Sequence, residues 1–212
     1  MREILRDCRL YGIVDRGYVG RDEVVRVTRE LISGGVRVLQ LRAKGVPLEE
    51  VRRMAGEMLP VCRGEGALFV LNDYPVLAAE LGADAVHVGQ DGGSMEEVRR
   101  VVGGQMVVGR STHSLEQARM AREEGADYIG FGPLFPTGTK PGRAAIGLQD
   151  VAMVQRCMGD LPVFCIGGIN GESLPRVLAA GARRVVIVSW LLQQRNRAEA
   201  ARRVLELMEQ GS

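Results

Sequence analysis

Short, continuous apolar runs alternate along this chain with longer segments in which apolar residues return every three or four positions. Eight runs stand out: Leu10–Val14, Val36–Leu41, Ala67–Leu71, Ala85–Val88, Met106–Gly109, Tyr128–Gly132, Pro162–Ile166 and Arg184–Val188. They do not alternate in polarity, which is the pattern of parallel strands covered on both faces. The segments between them have helical spacing. Asp22–Ser33 carries Val24, Val25, Val27, Leu31 and Ile32, and Leu48–Met58 repeats the spacing. Leu115–Glu124 opens with Ser114 as a helix N-cap and Glu116 close behind. The tail Ala198–Gln210 reads as a last helix.

A recurring corner supports the count. Gly82-Ala83-Asp84, Gly125-Ala126-Asp127 and Gly181-Ala182-Arg183 each stand between a helical pattern and an apolar run. A glycine just past a helix end supplies a left-handed cap, and the next strand begins at once. Eight strand–helix units in 212 residues predict an α/β fold, a single (β/α)8 TIM barrel over residues 1–212, with its chemistry at the C-terminal strand ends. An open doubly wound sheet is the competing arrangement.

Composition changes this picture little. Lys and Arg (28) nearly balance Asp and Glu (26), which gives no reason to expect nucleic acid or a membrane surface as partner. The opening Met1-Arg2-Glu3-Ile4-Leu5-Arg6-Asp7 is too charged for a signal peptide, and no apolar run approaches a membrane span. Cys8, Cys62, Cys157 and Cys165 show no CxxC spacing, so a reduced cytoplasm is the expected compartment, with Cys165 a small core residue. Because oligomers of such barrels often pair through outer helices, a homodimer is the base expectation.

The strand ends carry the candidate chemistry. They read Val14-Asp15-Arg16, Gln40-Leu41-Arg42-Ala43-Lys44, Asn72-Asp73, His87-Val88-Gly89-Gln90-Asp91, Arg110-Ser111-Thr112-His113, the long loop Gly130–Lys140, Gly167-Gly168-Ile169-Asn170 and Val188-Ser189. In the long loop, glycines and prolines set the shape, while Thr137, Thr139, Lys140 and backbone N–H groups offer a seat for an anion. Basic, amide, acidic and hydroxyl groups converging with glycine turns predict a site for a phosphorylated small molecule. Plainer readings stay open at this level. Arg42 and Lys44 also suit a surface ion-pair network, Asn72-Asp73 an Asx turn capping the next helix, Ser111 an N-cap, and Gly167-Gly168 an ordinary tight turn. Of the two histidines, His87 lies inside an apolar run and reads as an interior residue. His113 follows a strand end, where it can serve as general acid or base near neutral pH.

In order along the chain, Gln40-Leu41-Arg42-x-Lys44, Asn72-Asp73, His87-Val88-Gly89-Gln90, Gly109-x-Ser111-x-His113, Gly130-x-Gly132-Pro133-x-Phe135-Pro136-Thr137-x-Thr139-Lys140, Ile166-Gly167-Gly168-Ile169 and Val188-Ser189 resemble the thiamine phosphate synthases and their TenI-type relatives. The match runs from about Leu10 to Ser189, and its specificity lies in the ordered set. The resemblance implies a (β/α)8 barrel that joins a pyrimidine methyl diphosphate to a thiazole phosphate or its carboxylate, releasing pyrophosphate. It places Arg42 and Lys44 near the diphosphate, Gln40 and Asn72 with the substrate, and Asp73 on a Mg²⁺ ion. It also places Ser111 at the leaving group or pyrimidine, and Lys140 on the pyrophosphate. Thr137, Gly138 and Thr139 then hold the thiazole carboxylate and phosphate, and Gly168 with the Val188 and Ser189 amides completes that cradle.

The chain departs from the family at two points. The second metal-binding aspartate is expected where Gly92 stands, and Asp91 lies one residue early. Trp190 occupies a position that is usually small. The alternative the resemblance leaves open is a TenI-type thiazole tautomerase, which needs no metal and moves a proton with His113. A non-catalytic barrel that binds a thiamine precursor is a third reading. By the resemblance Asp73 and Lys140 serve a metal or a diphosphate, which a tautomerase does not handle, and their joint presence with Thr139 favours the synthase.

Overall fold

All eight apolar runs become strands. A computed structural model describes residues 1–138, 142 and 144–210. Its strands are β1 (Leu10–Asp15), β2 (Val38–Arg42), β3 (Leu68–Asn72), β4 (Ala85–Val88), β5 (Val107–Thr112), β6 (Tyr128–Phe131), β7 (Val163–Ile166) and β8 (Val185–Ile187). Each pairs in parallel with the next, and β8 returns to β1 through Leu10↔Val185 and Gly12↔Ile187, closing the barrel. The closed sheet excludes the open doubly wound alternative. Around it run α1 (Arg2–Asp7), α2 (Val24–Ser33), α3 (Leu48–Gly64), α4 (Pro75–Leu81), α5 (Met95–Val102), α6 (Leu115–Glu123), α7 (Val151–Met158), α8 (Leu174–Ala179), α9 (Ser189–Leu192) and α10 (Arg197–Gln210). Among the described residues, no helix is long and apolar enough to cross a membrane.

Boundaries differ from the sequence expectation for identifiable reasons. β2 begins at Val38 because the Val36 N–H bonds to Leu31 O at the end of α2 instead of joining the ladder. β5 continues to Thr112 because Ser111 and Thr112, although polar, remain buried and stay in register with Gly130 and Phe131 of β6. Helix α3 runs past Met58 to Gly64, with Pro60 inside it. Ser114 does cap α6, its hydroxyl accepting from Gln117 N–H at 3.2 Å.

The Gly-Ala-Asp corners close the N-terminal end of the barrel. Gly82 and Gly125 take the left-handed backbone (φ +63° and +84°) that turns each helix into its strand. The aspartate that follows fastens the neighbouring strand. Asp84 accepts from Phe69 N–H of β3 at 3.0 Å and from Arg63. Asp127 accepts from Val108 N–H of β5 at 2.8 Å and from Arg99 and Arg2. These bonds satisfy strand-end donors that the parallel ladder leaves open.

Inside the barrel, aromatic rings from three strands pack edge to face. Phe164 meets Tyr11 at 5.3 Å and Tyr128 at 5.7 Å between ring centroids. This cluster is possible because His87, Gly109 and Tyr128 form one row across β4, β5 and β6, and the middle residue has no side chain. A Cβ at Gly109 would fall inside the Tyr128 ring. Gly109→Ala should therefore destabilise the fold by about 3 kcal/mol in chemical denaturation, since the buried ring must leave its place.

Cys8, Cys62 and Cys165 are buried, and burial pushes each thiol from 9.0 up to about 12. The folded chain thus keeps protons that the unfolded chain releases above pH 9.0. Their stabilising contribution is complete below that pH and is lost as pH climbs toward about 12. Urea midpoints should fall across this window, and a thiol reagent at mildly alkaline pH should modify half-buried Cys157 before the other three.

Candidate active site

The C-terminal strand ends open into two adjoining compartments. The inner one descends into the barrel onto the rings of Tyr11, Tyr128 and Phe164, with Ile13, Ile166 and Val186 beside them. The outer one is charged and lies over β2–β4, edged by Lys44, Asp73, Gln90 and Asp91. Arg42, Asn72, Ser111 and His113 line both compartments and form the wall they share.

Each wall residue is held from below or behind. Arg42 donates through a guanidinium nitrogen to Asp15 Oδ2 at 2.7 Å, and both side chains are buried; Asp15 Oδ1 is held in turn by Gly17 N–H at 2.8 Å. The pair is thus interior, not the surface network that the sequence left open. Asn72 ends β3 and Asp73 follows it, and the Asn72 amide donates to Asp73 Oδ2 at 2.7 Å. Asp73 and Tyr74 both adopt positive φ (62° and 40°), a conformation that costs energy for residues with side chains and concentrates at functional sites. The N-cap position of α4 belongs to Tyr74 and has no side-chain cap bond, so Asp73 is not an Asx cap. His113 bonds through Nδ1 to the carbonyl of Gly132, and its backbone N–H donates to Gln117 Oε1 at 2.8 Å. Because a carbonyl only accepts, the His113 proton sits on Nδ1.

The loop 89–93 depends on Arg110. This buried guanidinium donates to Gly93 O at 2.7 Å and to Gln90 O at 3.3 Å, while the Gln90 amide donates to Ser111 O. The loop so fixed brings Asp91 to the same outer compartment as Asp73. Two carboxylates beside Arg42 and Lys44 present hard oxygen donors among basic groups. No cluster of three or more His, Cys, Asp or Glu side chains arranged for a metal occurs among the described residues.

Below the wall, the polar side chains form one connected series. Gln40 donates to Asn72 Oδ1 at 3.4 Å and accepts from Tyr11 Oη at 2.8 Å. Tyr11 Oη lies 3.2 Å from Tyr128 Oη, which lies 3.1 Å from His87 Nδ1; His87 Nε2 lies 2.9 Å from Ser111 Oγ. Burial pushes both phenols well above the ordinary tyrosine range. Ser111 is therefore a member of this series and not an N-cap.

On the opposite side, Thr137, Gly168, Val188 and Ser189 line the inner compartment. Gly168 has φ +64°, and a Cβ there would lie 2.6 Å from that of Phe135, so the glycine lets the loop after β6 fold onto the end of β7. Gly138 is exposed at the rim, near the Tyr18 hydroxyl. Thr139 and Lys140 lie outside the described residues. Trp190 packs over Gly171 and is not among the residues lining either compartment.

The structure thus gathers Gln40, Arg42, Lys44, Asn72, Asp73, Asp91, Ser111, His113, Thr137, Gly168, Val188 and Ser189 around one mouth. Sequence reasoning missed Tyr11 and Tyr128, placed Asp15 and Arg110 at strand ends without giving them a role, and read His87 only as an interior residue. His87 is satisfied as expected, yet it also lines the inner compartment. A usable signal existed for Asp15, the first acidic residue at a strand end.

Comparison with known proteins agrees with this geometry. The family model described as thiamine monophosphate synthase matches residues 10–191. The thiamine-phosphate synthase of Thermus thermophilus is 46% identical over 179 residues, covering 84% of this chain and 86% of the relative. That of Acidothermus cellulolyticus is 41% identical and covers 95% of each. The solved thiamine phosphate pyrophosphorylase from Pyrococcus furiosus superposes with a TM-score of 0.86 at 29% identity, covering 99% of this chain and 98% of that one.

The Arg42–Asp15 pair supplies a direct check on how the wall is built. Asp15→Asn leaves a buried guanidinium without its counter-charge and should cost about 3 kcal/mol in urea unfolding. A loss below about 1 kcal/mol would be the value of an exposed pair and would contradict the burial.

Proposed function

The chain belongs to the thiamine monophosphate synthase family, and from that membership we propose how its residues carry the reaction. It joins an aminopyrimidine methyl diphosphate to a thiazole phosphate, forming thiamine phosphate and pyrophosphate. The observation that supports this most is the shared wall of Arg42, Asn72, Ser111 and His113 between an aromatic-floored inner compartment and a charged outer one. A reaction in which a diphosphate departs from one heterocycle as another attacks needs two such spaces with a common boundary.

The pyrimidine ring lies against the wall, with Asn72 and Gln40 as its polar contacts, and its diphosphate extends into the outer compartment. The bond from the methylene carbon to the diphosphate oxygen breaks, and positive charge builds on the methylene. The thiazole nitrogen supplies the electron pair for the new carbon–nitrogen bond. Arg42, fixed by Asp15, and Lys44 meet the charge that accumulates on the leaving group. Lys140 joins them by the family resemblance. Thr137, Gly168, Val188 and Ser189 seat the thiazole phosphate on the far side of the inner compartment.

Asp73 and Asp91 are the residues that would hold Mg²⁺. Two carboxylates facing one compartment suit an ion that takes few protein ligands and completes its shell with water and phosphate oxygens. Held there, the ion would supply further positive charge against the diphosphate. Asp91, although one position early, thereby takes the role expected at Gly92. The Thermus thermophilus and Acidothermus cellulolyticus relatives are both named as synthases, which favours this reading over the tautomerase.

Purified protein given the pyrimidine diphosphate, thiazole phosphate and Mg²⁺ should release pyrophosphate and thiamine phosphate in equal amounts. Asp73→Ala should lower kcat/KM by roughly a thousandfold. Absence of pyrophosphate release from the wild-type protein would overturn the assignment.

A further inference from the structure

The polar series under the wall has a direction, and that direction follows from one fixed end. A carboxylate accepts hydrogen bonds and donates none. The Asn72 atom 2.7 Å from Asp73 is therefore its amide nitrogen, and its carbonyl oxygen faces Gln40. Gln40 must meet that oxygen with its own amide nitrogen, which turns its carbonyl oxygen to Tyr11 Oη. The single proton of Tyr11 is spent on Gln40, so the contact with Tyr128 uses the Tyr128 proton. Tyr128 then has only lone pairs for His87 Nδ1, which must carry the ring proton. A neutral ring protonated at Nδ1 accepts at Nε2, and the Ser111 hydroxyl supplies that bond. Burial keeps both phenols protonated, so neither link reverses by ionisation.

We propose that Asp73 polarises this series through Asn72, Gln40, Tyr11 and Tyr128, fixing His87 as its Nδ1–H tautomer and making Ser111 an acceptor toward the bound substrate. Tyr11 and Tyr128 are positioning residues, since they act through His87. Ser111, whose proton is held by His87, meets a donor: the N–H of the aminopyrimidine, not an oxygen of the departing diphosphate. This last step rests on the synthase reading; the tautomer does not. Gly109 is part of the device, because only a residue without a side chain lets Tyr128 and His87 meet across β5.

The test is ¹⁵N-histidine NMR on the ligand-free full chain, where two rings give two patterns. Both should show the Nδ1–H tautomer, His113 because Gly132 O holds it and His87 because of the relay. A His113→Gln sample assigns the pair. In Tyr128→Phe, His87 should move to the Nε2–H form that an unconstrained histidine side chain favours, while His113 stays unchanged. Tyr11→Phe should shift His87 in the same direction and serves if Tyr128→Phe does not fold. Both variants should lose about tenfold in kcat/KM, the value of one hydrogen bond. A wild-type His87 protonated at Nε2 or at both nitrogens overturns the proposal, as does a tautomer indifferent to both variants. The NMR readout needs no turnover, so a failure of the relay and a failure of the synthase assignment appear in separate measurements.

Discussion

Inside a closed barrel the polar side chains of neighbouring strands lie within reach of one another, and burial makes it costly to leave any of them unpaired. This constraint organises the interior described here. Asn72, Gln40, Tyr11, Tyr128, His87 and Ser111 come from six strands or strand ends and satisfy one another in a single series. A half-satisfied set would cost more than an apolar filling. The connected set instead stiffens the floor of the cavity and sets which atoms its rim presents.

The same logic governs the charged rim. Arg42 and Arg110 are both buried cations, one neutralised by Asp15 and one bonded to two loop carbonyls. Neither is free to wander, so both hold their guanidinium groups in fixed positions beneath the mouth. The strained backbone at Asp73 and Tyr74 ends β3 abruptly and leaves a carboxylate at the mouth, where a smoother turn would have continued toward α4. Backbone strain and buried cations thus converge on one side of the mouth, the side away from Gly168 at the end of β7.

Much of this was legible in the sequence, for physical reasons. Strands covered on both faces are apolar throughout, so their number could be read from runs such as Val163–Ile166, and the glycine corners marked where each began. Arg42, Asn72, Asp73, Ser111 and His113 were found because strand ends are where a barrel exposes polar groups. The floor was hidden by the same feature that revealed the strands. When both faces are buried, Tyr11, Tyr128 and Phe164 look like any core aromatic, and nothing in the run says which face looks inward. Asp15 was visible as a strand-end acid, but its pairing with Arg42 comes from the register of β1 on β2, Asp15↔Arg42, which is a property of the closed sheet.

The Gly-Ala-Asp corners fasten strands β3 and β5 at the end of the barrel opposite the cavity, through Asp84 and Asp127 and their arginine partners. These fastenings are therefore remote from the loops that carry the chemistry. Selection can rewrite the mouth without loosening the base, which makes a fold of this kind an economical chassis for new specificities. In the proposed reading, Asp91 beside Gly92 illustrates that freedom: a ligand stands one residue away from its expected place while the cylinder beneath it stays the same.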